Sequence, residues 1–202
     1  MDAFSYVFIV VVLLVISIRI WQTFFIKNRS LGVKKEGWTF PVVVVMYNLI
    51  IIGTILEYIL ITKEINFKVS IVGFLLGGLG LFITVSSIRS LGRFWGLSIE
   101  IKKNHEIVKS GLYHYIRHPY YMGVIFEITG FILFANSYYM FILAFLLFSI
   151  LIFRVMLEER VMNSVFGEEY EKYKGEVSAF FPSSSFLRMR KGEQKELNSF
   201  DS

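Results

Sequence analysis

The 202-residue sequence contains no cysteine, and none of its glycines forms a nucleotide-binding loop after a plausible strand. The absence of cysteine excludes disulfide bonds, thiolate nucleophiles and cysteine-ligated metal sites. The glycines at 73 and 77 lie within an apolar run, where their spacing favours close helix packing, so a soluble dinucleotide-binding fold is unsupported. Histidine occurs three times, and His105 has no neighbouring histidine or cysteine, so no metal site is predicted.

Hydrophobic residues are what the sequence has in excess. They make up 55% of the chain, with 17% aromatic residues and a mean hydropathy of +0.60, values above those of soluble proteins. Because a membrane-spanning helix needs roughly 20 apolar residues, we predict an all-α, polytopic membrane protein with about five transmembrane helices. The predicted spans cover residues 4–26, 40–62, 69–88, 120–135 and 138–157.

The basic residues fall between these spans and predict their orientation. One side of the predicted bundle carries Lys27, Arg29, Lys34, Lys35, Arg89, Arg93, Lys102, Lys103, Lys109 and Arg117, and the other carries Lys63 and Lys68. Because lysine- and arginine-rich loops stay inside, we expect the N-terminus outside and residues 89–119, with everything after about residue 157, in the cytoplasm. The formal charge of +5 then faces anionic lipid headgroups, and no nucleic-acid partner is predicted.

We predict one membrane-embedded domain at residues 1–182, with its catalytic half at about 91–182, and a separate tail. Residues 183–202 begin with three serines, are rich in lysine, glutamate and glutamine, and lack sustained apolar periodicity. Such composition is typical of a segment that does not bury a core. The sequence therefore predicts a flexible cytoplasmic tail.

The start of the fourth predicted span can bind an anion. Pro119 occupies the first helical turn, where proline is well tolerated, and the unpaired N–H groups of a helix N-terminus attract negative charge. Glu127 lies seven residues after Tyr120, on a similar helix face. We expect Glu127 either to line a substrate cavity or to form a buried hydrogen bond to a tyrosine or asparagine.

A second charged cluster lies near the cytoplasmic end of the fifth predicted span. Arg154 and Glu158 are four residues apart and share a helix face. Because little more than Asn136 and Ser137 joins the last two spans, we predict a tight helical hairpin. That hairpin would bring the charged pair close to His118 and Tyr121 and form one cytoplasm-facing pocket beside lipid.

An ordered set of residues extends from the polar connection to the tail. It comprises His105, Ile107, Val108, Gly111, Tyr113, Arg117, His118, Pro119, Tyr121, Gly123, Arg154, Glu158, Glu159, Phe166, Gly167, Glu169, Tyr170 and Tyr173. In this order and spacing, the C-terminal half resembles the isoprenylcysteine carboxyl methyltransferase family. The first three spans match that family only in being hydrophobic.

The resemblance implies an S-adenosyl-L-methionine-dependent methyltransferase with a cytoplasmic-side cofactor pocket formed by the C-terminal half. The implied cofactor-binding residues are His105, Glu106, Ile107, Val108, Tyr113, His118, Pro119, Tyr120, Tyr121 and Glu158. Arg154 and Glu158 are the implied catalytic residues, and Arg154 faces the anionic group of the substrate, with Glu127 as a further candidate there. Where eukaryotic members have a cofactor-contacting glutamine, this chain has Ser98.

The expected function is O-methylation of a lipophilic anionic acceptor, either an isoprenylcysteine-type carboxylate or an alkylpyrone-like enol. The enol is included as a candidate acceptor because residues 90–95 resemble bacterial family members that methylate alkylpyrones. Alternatives are a phospholipid N-methyltransferase, a sterol-reductase-like protein that uses a nicotinamide cofactor, and a non-catalytic membrane scaffold. The expected partners are a lipophilic small molecule or lipidated substrate and membrane lipids, and the sequence does not determine the oligomeric state.

Overall fold

The computed structural model describes residues 3–26, 33–62, 64–96 and 98–182. Within these residues the chain forms six α-helices and two short strands. They are α1 (Ala3–Ile26), β1 (Val33–Glu36), α2 (Thr39–Leu60), α3 (Phe67–Leu91), β2 (Ile99–Ile101), α4 (Pro119–Ala135), α5 (Phe141–Phe166) and α6 (Glu168–Glu176). The predicted tail at 183–202 lies outside the described residues, as do Lys27, Arg29 and Lys63 of the orientation argument.

The apolar helices confirm the predicted all-α, polytopic membrane fold. Four helical segments are long and apolar enough to cross a membrane, and they cover Ala3–Ile20, Thr39–Leu60, Phe67–Phe94 and Tyr138–Phe166. Helix α4 is equally apolar but has 17 residues, so at 1.5 Å per residue it reaches about 25 Å. The bundle therefore has four full-length apolar helices and a shorter fifth.

Helices α3 and α4 pack backbone to backbone because both place glycines at their contact. A Cβ atom added to Gly130 would lie 2.7 Å from the carbonyl oxygen of Gly73, and one added to Gly80 would lie 2.6 Å from that of Gly123. Small residues favour helix association in lipid because they let the backbones approach closely. The start of α4, which carries the candidate site residues, is thereby held against α3.

A short polar turn reverses the chain between α4 and α5, as predicted. Asn136 ends α4 in the left-handed conformation, with φ 55°. Its side-chain amide donates to the Ser70 hydroxyl (2.7 Å) and accepts from the backbone N–H of Asn66 (3.0 Å). The Ser137 hydroxyl donates to the carbonyl of Thr54 (3.1 Å). These bonds satisfy polar groups that lipid cannot satisfy.

Two short backbone pairings, which the sequence did not predict, join polar segments that connect the helices. Strands β1 and β2 are antiparallel, with Val33 opposite Ile101. Ile116 forms an isolated parallel bridge to Ser178, and the Arg117 N–H donates to the Ser178 carbonyl (2.9 Å). The segments after α1 and α3 therefore meet each other, and the segment after α6 meets the residues just before α4.

Candidate functional site

A cavity of about 370 Å³ lies at the end of the bundle where α4 begins. Its size falls in the range of roughly 300–1,000 Å³ that is usual for small-molecule sites. One part of its wall is apolar and comes from the helices, with side chains of Phe40, Val43, Val44, Val124 and Leu151. The other part is polar and comes from the connection between α3 and α4 and from the end of α5. The cavity thus joins a lipid-like wall to a polar one.

Arg154 lies in the cavity wall and is only 6% exposed. Its Nε donates to the Tyr121 hydroxyl (3.1 Å), and its Nη1 donates to the Thr39 hydroxyl. The Tyr121 hydroxyl donates in turn to Glu158 Oε2 (2.8 Å). A guanidinium, a phenol and a carboxylate therefore form one continuous chain, which places a cation and an anion along the same wall.

Arg117 and His118, at the entrance to α4, both bind Glu159. Arg117 Nε and Nη2 lie 3.0 and 2.6 Å from Glu159 Oε1, and His118 Nε2 lies 3.1 Å from the same oxygen. Arg117 Nη1 also donates to the carbonyl of Lys174 (3.3 Å), which connects α6 to this turn. The network fixes the first turn of α4 and leaves the imidazole ring of His118 as part of the cavity wall.

Buried Lys102 fixes the connection that covers the cavity. The Lys102 ammonium donates to the carbonyls of Arg93 (3.1 Å) and Trp95, and it lies 3.3 Å from Glu100 Oε1. The desolvation cost of this buried ammonium is offset because each of its donors has an acceptor. The Lys102 ammonium thereby links the described residues 93–95 to residues 100–102 beside the cavity.

His105 is held as a neutral imidazole in the same connection. Its Nδ1 accepts a hydrogen bond from the backbone N–H of Lys102 (3.2 Å), which requires an unprotonated nitrogen. Its ring stacks on Phe94, with centroids 4.8 Å apart. Burial, followed by the nearby Lys102 ammonium, lowers the pKa of His105 below its usual 6.5.

Acidification is therefore expected to loosen the connection over the cavity. Because the pKa of His105 is lower in the folded than in the unfolded chain, its contribution to stability is complete above about pH 6.5 and is lost as the pH falls through the folded value. Hydrogen exchange of residues 98–105, corrected for the intrinsic pH effect, should accelerate between pH 7 and 5. His105→Gln, whose amide oxygen can still accept, should remove this acceleration, whereas His114→Gln at an exposed position should retain it. A pH-independent exchange rate in the unaltered chain would contradict the assignment.

Three tyrosines, Tyr113, Tyr170 and Tyr173, form part of the polar wall. The Tyr173 hydroxyl donates to the carbonyl of Tyr113 (2.5 Å), and Tyr170 lies beside Tyr173 with ring centroids 6.1 Å apart. Burial raises the pKa of Tyr173 to about 12 and raises the pKa values of Tyr113 and Tyr170 above 10. All three hydroxyls are therefore protonated at neutral pH and able to donate.

A partly buried charge pair of Arg19 and Glu127 lies toward the apolar side of the cavity. Arg19 Nη2 lies 2.6 Å from Glu127 Oε2, the Tyr47 hydroxyl donates to Glu127 Oε1 (3.0 Å), and Arg19 Nε donates to the Tyr47 oxygen (3.0 Å). Arg19 also interacts with Tyr120. Helices α1, α2 and α4 each supply one member of this three-residue network. Arg19 and Tyr47 line the cavity.

The structure brings most of the sequence-predicted site residues to one cavity. Those in its wall are His105, Glu106, Ile107, Val108, Tyr113, His118, Tyr120, Tyr121, Arg154 and Glu158. Pro119 is fully buried at the start of α4, and Glu127 is bound by Arg19 and Tyr47; neither belongs to the described lining. The chemical roles assigned to all these residues stay predictions.

Sequence reasoning missed Arg19, Tyr47 and Trp95 as residues of this cavity. For Arg19 a signal was available, because a lone arginine inside an apolar run usually has a partner or a ligand. Trp95 lies in the segment 90–95 that resembles alkylpyrone-methylating family members, although that resemblance did not place its side chain in the cavity. Tyr47 had no signal, since aromatic residues in a membrane protein are mostly core and interfacial material.

Comparisons with known proteins find the same family that the C-terminal half resembles. Residues 70–164 match the model of the isoprenylcysteine carboxyl methyltransferase (ICMT) family. The chain is 29% identical over 123 residues to the protein-S-isoprenylcysteine O-methyltransferase of Schizosaccharomyces pombe, which covers 57% of this chain and 50% of that protein. It is 30% identical over 131 residues to the Saccharomyces cerevisiae protein of the same name, which covers 63% of this chain and 53% of that one. The chain spans about half the length of these relatives.

Proposed function

We propose, because the chain belongs to the isoprenylcysteine carboxyl methyltransferase family, that it transfers a methyl group from S-adenosyl-L-methionine to an anionic oxygen of a lipophilic acceptor. The observation that carries the proposal is the chain of contacts from Arg154 through Tyr121 to Glu158 in the wall of one cavity. The proposed acceptor is an isoprenylcysteine-type carboxylate, as in the names of the yeast relatives, or an alkylpyrone-like enolate.

The polar side of the cavity fits this cofactor. Glu158 is a half-buried carboxylate that lines the cavity, and a cationic ligand group would be stabilised beside it. The neutral ring of His105 and the side chains of Ile107 and Val108 offer aromatic and apolar surface for a purine. When bound, S-adenosyl-L-methionine supplies an electrophilic methyl group on a positively charged sulfur.

The residues of the chain then act by binding and alignment. Arg154 would hold the anionic oxygen of the acceptor through charge-assisted hydrogen bonds. The chain needs to supply no general base, because an ionised carboxylate or enolate carries no proton that must be removed before attack. The apolar wall around Val124 and Leu151 excludes water, so Arg154 and Glu158 act in a medium of low dielectric constant.

We further propose that residues 1–182 act as one membrane-embedded domain, with the catalytic half at about 91–182 facing the cytoplasm. The support is the distribution of charge around the described helices. Arg93, Lys102 and Lys109 lie at the cavity end of the bundle, whereas Lys68 lies at the other end, at the start of α3. Lysine and arginine concentrate on the cytoplasmic side of membrane proteins.

The test is a labelling experiment with the purified protein in detergent. We expect transfer of a labelled methyl group from S-adenosyl-L-methionine to a lipid-extract component or to N-acetyl-S-farnesyl-cysteine. Mild alkali should release the label from a carboxylate acceptor, where it is held in an ester, and should leave it on an enolate acceptor, where it is held in an enol ether. Alkali-stable label on an amine headgroup would identify the phospholipid N-methyltransferase alternative. Absence of any binding of S-adenosyl-L-methionine would contradict the proposal.

Two substitutions separate the proposed roles. Glu158→Ala is expected to weaken S-adenosyl-L-methionine binding by about 10- to 100-fold, the effect of a charged contact worth roughly 1.5–3 kcal/mol. Arg154→Leu is expected to lower kcat/KM for the acceptor by about 100-fold and to leave cofactor affinity within about threefold. Arg160→Leu and Glu168→Ala alter exposed charges on α5 and α6 and serve as matched controls. Unchanged cofactor binding by Glu158→Ala would contradict its role.

A further inference from the structure

We propose that the indole N–H of Trp95 binds the acceptor and selects an oxygen nucleophile over an amine. This inference rests on the proposed function and assigns the acceptor side of the same cavity. Trp95 is 5% exposed and forms part of the cavity wall. Its Nε1 is buried and has no hydrogen-bond partner among the described residues. Buried donors in proteins are nearly always paired, so an unpaired one in a cavity wall points to a ligand.

Trp95 is held in place through its backbone and through its ring. The Lys102 ammonium donates to the backbone carbonyl of Trp95, and the same ammonium also binds the Arg93 carbonyl (3.1 Å). On the other side, the ring packs on Tyr120, with centroids 4.4 Å apart. A donor with a fixed position loses little conformational freedom when a ligand binds, which favours recognition by a single hydrogen bond.

The position of Trp95 assigns its donor to the acceptor rather than to the cofactor. Its neighbour Phe94 stacks on His105 at the proposed cofactor side. Trp95 instead packs on Tyr120, which the family resemblance gives to the cofactor but which also interacts with Arg19 toward the apolar helices, so we place Tyr120 at the boundary between the cofactor and the acceptor. The apolar wall there suits a lipophilic chain that enters from the bilayer. The polar group of such an acceptor would lie near Trp95 and Arg154.

The chemistry of this wall selects the nucleophile. Trp95 and Arg154 carry only donors, and the Glu127 carboxylate is already bound by Arg19 and Tyr47. A carboxylate or enolate oxygen has several lone pairs, so it accepts these hydrogen bonds and keeps a lone pair for attack. A neutral amine has one lone pair, and a hydrogen bond from Trp95 would occupy it. The donors therefore favour O-methylation.

The substitution test is Trp95→Phe, which removes the N–H and keeps an aromatic ring. With N-acetyl-S-farnesyl-cysteine as the acceptor, we expect kcat/KM to fall by about 10- to 100-fold, the range for a hydrogen bond to a charged group, and S-adenosyl-L-methionine affinity to stay within about threefold. The matched control is Trp38→Phe, because Trp38 is 59% exposed and lies outside the described lining of the cavity. We expect Trp38→Phe to leave both values unchanged.

A spectroscopic measurement separates direct binding from a packing effect. In ¹⁵N-indole-labelled protein with S-adenosylhomocysteine, adding N-acetyl-S-farnesyl-cysteine should move the Trp95 indole N–H proton downfield, and its methyl ester should move it less. Equal shifts for acid and ester, or none, would overturn the inference, as would a Trp95→Phe protein with unchanged kcat/KM. Failure of the unaltered protein to methylate any acid contradicts the proposed function instead.

Discussion

Replacement of Gly130 with leucine is expected to prevent recovery of folded protein. At this position even a single added Cβ atom overlaps backbone atoms of Gly77 and lies 2.7 Å from the carbonyl oxygen of Gly73. No side-chain rotation relieves an overlap with backbone, so α3 and α4 would have to separate along their whole contact. That separation would remove the close packing that drives association in lipid and would displace the start of α4 from the cavity.

The measurement is the monodisperse fraction of detergent-purified protein in size-exclusion chromatography, followed by thermal unfolding. The matched control is Gly78→Leu, because a Cβ at Gly78 of the facing helix meets nothing within 4 Å. The control protein should be recovered at the level of the unaltered chain. Gly130→Ala should give an intermediate result, with a loss of about 1–3 kcal/mol in the free energy of unfolding. Equal recovery of both leucine variants would show that the two helices do not pack as described.

The sequence predicted the apolar helices well because the thickness of the bilayer fixes their length. The predicted spans 69–88 and 138–157 correspond to α3 (Phe67–Leu91) and α5 (Phe141–Phe166). Both helices run past the predicted ends, and α5 does so by nine residues. The prediction stopped at charged residues, but the helix continues because Glu158 and Glu159 find partners in Tyr121 and in the turn before α4.

The sequence also predicted that Arg154 and Glu158 lie close to the start of α4, because this contact depends on features that are local in the sequence. Arg154 and Glu158 are one helical turn apart, and the hairpin at Asn136 returns α5 alongside α4. The spacing along α5 and the turn at Asn136 together place both side chains within hydrogen-bond distance of Tyr121. The hydrogen bonds of Tyr121 with Arg154 and Glu158 therefore follow from the residue spacing along α5 and from one tight turn.

The parts that could not be predicted depend on contacts between distant segments. Arg19 and Glu127 are 108 residues apart, and their pairing depends on how α1 packs against α4. The β1–β2 sheet likewise joins strands whose short sequences have no distinctive alternation over enough residues to predict pairing. The unpaired donor of Trp95 becomes visible only when all of its neighbours are known.

Replacement of Glu127 with methionine is expected to cost about 3–5 kcal/mol in the free energy of unfolding, the usual loss when one partner of a buried ion pair is removed. Glu127 accepts from Arg19 and from Tyr47, so its removal leaves a guanidinium in a largely apolar bundle without its counter-ion. Arginine cannot escape this cost, because it stays protonated at any accessible pH. The quantity to measure is unfolding free energy in mixed micelles as the fraction of denaturing detergent rises.

Replacing Arg19 alone, and replacing Arg19 and Glu127 together, tests whether the loss of stability comes from the interaction between these two residues. Arg19→Met should cost less, about 1–3 kcal/mol, because a carboxyl group left alone can take up a proton and keep its hydrogen bond from Tyr47. The double variant Arg19→Met with Glu127→Met should lie within about 1 kcal/mol of the unaltered chain, since well-packed apolar residues often replace a buried ion pair at little cost. If the two losses simply added, the residues would act independently. A double variant that is stable but binds acceptor poorly would show that the charge pair serves the cavity rather than the stability of the bundle.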